Sequence, residues 1–257
     1  MYNRFFFTIC IFVLSVLLYL NSGCKREKVL HLDAAADAYI RSDLNIRRND
    51  NYGCHEFTAI GTSREGLPIG EADAMRALLR FELSEIPSRS SIKEATLELT
   101  VHSFDSGTPS SVYTVNVHRV VDSSSRTPWS EGNGSERSPQ PSGCVWVDDA
   151  AGVAWVGAGD GGDDNNQTQP DFDPSVMANA TVNQATNKIG DTIQWDITAL
   201  VQDWINQTHP NHGVVLKDPT TDGSFRGVRF GTHEGNLHSI PGAVNGPRLV
   251  VTFIPNK

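Results

Sequence analysis

The sequence predicts an all-β protein, a jelly-roll-like antiparallel β-sandwich with one short helix. Three observations predict it. Several short segments alternate apolar and polar residues with period two, the mark of half-buried strands. Asn, Asp, Gly, Ser and Thr cluster between those segments, where turns need them. One stretch only, Ile197 to Ile205, changes to helical spacing.

The clearest strand signal is Arg76 to Val101. Ala77, Leu79, Phe81 and Leu83 alternate with Arg76, Leu78, Arg80 and Glu82, and Leu97, Leu99 and Val101 alternate with Glu98 and Thr100. Ile86-Pro87 makes the turn between the two strands. Upstream, His31 to Ile40 holds strand residues, Asn49 to Gly53 is a turn cluster, and Phe57 to Ile60 is a short strand. Downstream, Tyr113, Val115 and Val117 face one way from a further strand, and Val145-Trp146-Val147 is a short apolar run. Ile193, Trp195 and Ile197 form another inward face. Leu200, Val201, Trp204 and Ile205 then define the helix, with Asp196 or Thr198 as its cap. Val214-Val215-Leu216, Val228 with Phe230, and Leu249 to Phe253 complete roughly ten strand candidates, enough for two packed sheets. Long loops are expected near 123–143 and 157–174, where Pro, Gly, Ser and acidic residues exclude regular structure. No internal repeat divides the chain, so one domain is expected over 31–257.

The first 24 residues read as a targeting segment. Arg4 precedes the apolar run Phe5 to Leu20, and Asn21-Ser22-Gly23-Cys24 closes it, the layout of a signal peptide. An uncleaved anchor helix is the alternative. Ser22-Gly23-Cys24 resembles a bacterial lipobox, which implies lipidation at Cys24, although Asn21 stands where an apolar residue is usual. Residues 25–30 are expected to be a charged tether. These features point to a secreted or cell-surface protein, touching a membrane only through a lipid anchor. Cys54 and Cys144 then remain as a pair for a disulfide outside the cytoplasm, or as two buried thiols. The formal charge of −9 argues against nucleic acid as a partner, and against an anionic polymer unless Arg and Lys cluster locally.

An ordered set of short motifs runs through the chain. It begins with Ala36-Asp37-Ala38-Tyr39-Ile40 and Asn51-Tyr52-Gly53. Leu78 to Leu83, Ile86-Pro87 and Ala95 to Leu99 follow, then Val117 to Val120, Trp129-Ser130-Glu131 and Ala154 to Gly159. It closes with Trp195 to Trp204 and His212 to Leu216. The set resembles the secreted β-sandwich family of DNRLRE-domain proteins, which includes carbohydrate-binding module family 96. The resemblance implies a jelly-roll module that binds polysaccharide and has no catalysis of its own, and some members take acidic glycans such as alginate. A structural or adhesive surface module is the alternative, and a hydrolase or lyase a third. Region 123–143 is longer than the family's usual connection.

Candidate site residues follow from chemistry. Arg76 faces outward and can grip a uronate with two parallel hydrogen bonds, whereas Arg80 sits inside the family's structural motif and reads as scaffold. His102 and His118 lie on outward strand faces. Trp129 and Trp146 flank loops and can offer platforms to sugar C–H faces, while Trp195 and Trp204 read as core. Asp160, Asp163 and Asp164 form an acidic Gly-rich loop that suits calcium in a structural role, or is only a turn; Asp33 and Asp37 are a second, weaker calcium suggestion. No HExxH, GxSxG or CxxC pattern occurs.

Overall fold

A computed structural model describes residues 26–42, 50–63, 73–105, 112–121, 129–134, 143–145, 148–150, 153–154, 172–219, 226–236 and 245–256. The segment read as a signal peptide with Cys24, Trp146, and the acidic stretch of Asp160, Asp163 and Asp164 lie outside the described residues. Among the described residues no helix is long and apolar enough to cross a membrane.

Strands β1 (Lys28–Asp33), β2 (Ala36–Arg41), β3 (Phe57–Ser63), β4 (Asp73–Arg80), β5 (Ser91–Phe104) and β6 (Val112–Arg119) come first. The short pair β7 (Asp148–Ala150) and β8 (Val153–Ala154) follows, then β9 (Ala178–Asn183) and β10 (Thr192–Asp196). Helix α1 (Thr198–Ile205) precedes β11 (Val214–Lys217), β12 (Arg226–Gly231) and β13 (Arg248–Ile254). The strands pair antiparallel throughout the described residues. One continuous path runs β1-β13-β5-β12-β3-β4-β11-β6-β9, with β10 joining β5 and β2 joining β4. The path curls on itself into a jelly-roll-like sandwich, with a single short α-helix among the described residues. The long strand β5 turns the corner: Ser91 to Glu98 pair with β13, and Val101 to Phe104 pair with β12. Register slips at Arg229/Phe230 and Thr252/Phe253 supply the bend that a flat pair lacks.

The inward residues are those the alternation picks out. Ala77 and Leu79 of β4, Leu97, Leu99 and Val101 of β5, Val115 and Val117 of β6, Trp195 of β10 and Val251 of β13 are all buried in one central cluster. Each of these leucine and valine side chains contributes about 1.5–3 kcal/mol on leaving water. Leu83 to Ser90 makes the predicted turn, with Ile86 N–H donating to the Leu83 carbonyl at 2.9 Å.

Helix α1 closes one end of the core. Leu200, Val201, Trp204 and Ile205 are its buried face, as the spacing predicts. Asp196 Oδ1 accepts from both the Thr198 N–H (3.0 Å) and its hydroxyl (2.6 Å), which stabilises the helix entry. These two hydrogen bonds, the hydroxyl's first, hold the Asp196 carboxyl below its ordinary range. The helix is too short to stand alone. Thr198 Oγ1 accepts the Ala95 N–H and Gln202 Oε1 accepts the Ile92 N–H, both at 2.9 Å, so polar groups pin it to β5.

Three expectations are corrected. Strand β1 starts at Lys28, inside the expected tether, because its backbone pairs along the edge of β13 from Phe253 to Arg248. Just after the apolar run Val145-Trp146-Val147, β7 and β8 form a small antiparallel pair where no strand is expected. No disulfide joins Cys54 and Cys144. The backbones of both are tied to one loop, since Cys54 N–H donates to Gly134 and Cys144 N–H to Ser130. The side chains diverge: Cys54 faces solvent, and Cys144 is buried against Leu78, Trp129 and Val215. A disulfide needs the two Cβ atoms to face each other.

Candidate functional site

The outer side of the β2-β4-β11-β6 layer is not open. Ala36, Ala38, Ile40, Leu78 and Val215 are buried there beneath Val120, Trp129, Cys144 and Phe172, forming a second apolar cluster. This cover relocates most of the residues expected to bind sugar. Trp129 is 3% exposed, and its indole N–H donates to the His212 carbonyl at 2.9 Å, so it cannot stack on a ligand. His118 is buried against Phe172, with Nδ1 3.0 Å from the Asp173 carbonyl. Burial holds its pKa below the ordinary histidine value. His102 is half-buried, with its ring 5.5 Å from Phe57. Arg76 is half-buried and stands over the Phe172 ring at 5.5 Å, with Lys217 over the same ring at 4.8 Å. Arg80 stands over Trp129 at 5.8 Å, which fits the scaffold role.

Beside this cluster three of the sequence motifs meet. Asn51 is fully buried and makes four hydrogen bonds. Its amide donates to the carbonyls of Glu131 (2.7 Å) and Cys144 (2.8 Å). Its Oδ1 accepts the N–H groups of Gly134 (2.7 Å) and Gly53 (3.3 Å). The backbones approach so closely that a Cβ at Gly53 would overlap the Glu131 carbonyl. Gly143 also has φ +98°, a conformation that favours glycine. Asn51 therefore fixes the backbones of Glu131, Gly134 and Cys144 against its own turn.

That clamp brings three carboxylates together. Asp37 of β2, Glu131, and Glu234 of the 3-10 turn after β12 each place one oxygen within 4.8 Å of the others. Glu131 Oε1 accepts the Asp37 N–H at 2.6 Å, and Asp37 Oδ2 accepts the His233 N–H at 2.9 Å. The His233 ring lies 3.2 Å from Glu234 Oε1. Asp37 Oδ1 and Glu234 Oε2 are buried and have no hydrogen-bond partner. Burial, then the charges of Glu234 and Glu131, push the Asp37 carboxyl well above its ordinary range against the pull of the His233 N–H. Burial and Glu234 push Glu131 up to about 7.

These shifts predict a pH dependence for metal-free protein. An unfolded Glu131 loses its proton near 4.5, while the folded one keeps it to about 7. The folded state therefore binds more protons in that window, and its stability falls as pH rises through it. Solvent screening of a half-buried carboxyl reduces the effect to about 1–2 kcal/mol. Thermal melts in EDTA from pH 4.5 to 8 should show the midpoint falling, and a flat or rising profile would contradict the geometry.

A separate polar surface lies across the sandwich. On the solvent side of β1, β13, β5 and β10, the side chains of Asp33, Glu98, Thr100, Thr192, Asn245 and Arg248 line a shallow cavity of about 150 Å³. Arg248 donates to Glu98 Oε2 from Nη2 (2.6 Å) and Nε (3.0 Å), and Gln194 donates to Oε1 at 2.8 Å. Burial raises the Glu98 carboxyl, but these hydrogen bonds outweigh it and hold the group below its ordinary range. Asp33 thus belongs to this surface and not with Asp37. The sequence singles out Asp37 as an acid for calcium but not its partners Glu131 and Glu234, nor this cavity, because each site joins residues far apart in the chain. No family model matches the chain, and no curated protein matches it.

Proposed function

We propose that this chain is an exported, non-catalytic polysaccharide-binding module, and that sugar lies across the open face of β1, β13, β5 and β10. The observation that carries this reading is the polar cavity there. It sets two carboxylates, a guanidinium and hydroxyls on strands, with the Asn245 amide on the segment before β13, the groups that hydrogen-bond a hydroxyl-rich ligand. Glu98 is already oriented by Arg248 and Gln194, so little ordering is left for binding to cost. Asp33 and Glu98 against one Arg248 favour neutral glycans at this face.

A second reading is uronic-glycan binding on the opposite layer. Arg76 and Lys217 over one Phe172 ring favour it, being a local cationic cluster in an acidic chain.

Affinity electrophoresis in gels with neutral or uronic polysaccharide separates these readings. Retardation by a neutral glycan should weaken at least tenfold in Glu98→Ala and persist in Arg76→Ala. Retardation by a uronic glycan that vanishes in Arg76→Ala would move the site to the other layer. No retardation in any gel would favour a structural or adhesive module, and release of reducing ends or unsaturated sugars would mark an enzyme.

A further inference from the structure

We propose that Asp37, Glu131 and Glu234 bind one divalent cation, calcium by its donor chemistry, which staples β2, the Trp129–Gly134 segment and the turn after β12 into one unit. Three independent features of the centre point to a ligand. The donors are all carboxylate oxygens, hard ligands that suit calcium or magnesium over a softer metal. They lie within 4.8 Å of one another, and two oxygens on one calcium ion can stand no more than about 5 Å apart. Magnesium requires a tighter octahedron and dehydrates reluctantly, so calcium fits this buried centre better.

The third feature is the orphaned oxygens. Asp37 is 0% exposed and Glu234 9%. The protein orients one oxygen of each: Asp37 Oδ2 through the His233 N–H, and Glu234 Oε1 beside the His233 ring. The remaining oxygens, Asp37 Oδ1 and Glu234 Oε2, are buried without any hydrogen-bond partner. A buried carboxylate oxygen left bare costs free energy that a cation recovers. A pair of charges on the ion offsets most of the three carboxylates, and His233 and Arg80 lie close enough to act on Glu131 as well.

The site differs from the acidic loop of Asp160, Asp163 and Asp164, and the test separates the two. Chelator-stripped protein lacking residues 1–24 is titrated with calcium chloride by calorimetry and melted with and without the ion. One calcium per chain is expected. At calcium a hundredfold above Kd the unfolding midpoint should rise by about 5–10 °C. Magnesium at the same concentration should raise it less. Asp37→Asn keeps the shape and removes a buried charge, so the variant should fold and lose calcium affinity at least tenfold. Glu234→Gln should act the same way. No heat and no midpoint shift in the native chain would overturn the proposal. So would calcium binding that survives in folded Asp37→Asn but disappears when Asp160, Asp163 and Asp164 are changed together to asparagine.

Discussion

Asn51→Ala is expected to cost about 3–5 kcal/mol of stability, read as a lower urea midpoint with an unchanged slope. The side chain is fully buried and its four hydrogen bonds all end on backbone groups. Removing it strands the N–H groups of Gly53 and Gly134 and the carbonyls of Glu131 and Cys144. Each stranded buried group costs about 1–3 kcal/mol, though the costs do not add fully because the loop can relax. Asn51→Asp is the sharper version. It preserves shape and the two accepted hydrogen bonds but loses both donations, and it buries a carboxylate in the clamp that holds Glu131. It should therefore be at least as destabilising as alanine above pH 7 and recover as pH falls and the new carboxyl is protonated. A loss under about 1 kcal/mol in both variants would show that the loop stays docked without the clamp.

Asn51 also shows where the sequence was legible and where it was not. Asn51-Tyr52-Gly53 and Trp129-Ser130-Glu131 were visible as separate motifs, and Asp37 as an acid within a strand. Nothing in their order says that they touch, because Asp37 and Glu131 are 94 residues apart. Local pattern did better. Period-two alternation chose the inward residues of β4, β5, β6, β10 and β13, and the shift to helical spacing chose the four buried residues of α1. Alternation tells which side of a strand a residue takes, but not whether that side meets water. Arg76 and Leu78 share a face with Arg80, and that face is roofed by Trp129 and Phe172. His118, placed outward by alternation, and Trp129, placed at the surface by its neighbouring loop, are both buried. A clue was present in Val214-Val215-Leu216. A continuous apolar run marks a strand covered on both faces, and β11 is buried at every residue. The cysteine argument failed for a related reason, since parity counts thiols and not their directions.

Trp195→Ala should be the largest single loss in the central core. Trp195 is 0% exposed and lies opposite Leu97 of β5. Its ring meets Phe230 of β12 edge-on with centroids 6.0 Å apart. Its indole N–H donates to the Val115 carbonyl of β6 at 3.0 Å. One side chain therefore joins β10, β12 and β6 across the core. Truncation leaves a cavity between rigid strands and bares the Val115 carbonyl. Large aromatic truncations in cores cost about 3–5 kcal/mol, and the unpaired carbonyl places this one at the upper end. For a chain of this size that lowers the melting midpoint by about 10 °C or more. Trp195→Phe divides the effect into its parts: much of the ring contact remains while the donor is lost, so a cost of about 1–3 kcal/mol is expected. Ile189, 67% exposed, supplies the control, and Ile189→Ala should stay within about 0.5 kcal/mol. If Trp195→Ala cost no more than Ile189→Ala, the two layers could not be packed through this residue, and the core would have to be centred elsewhere.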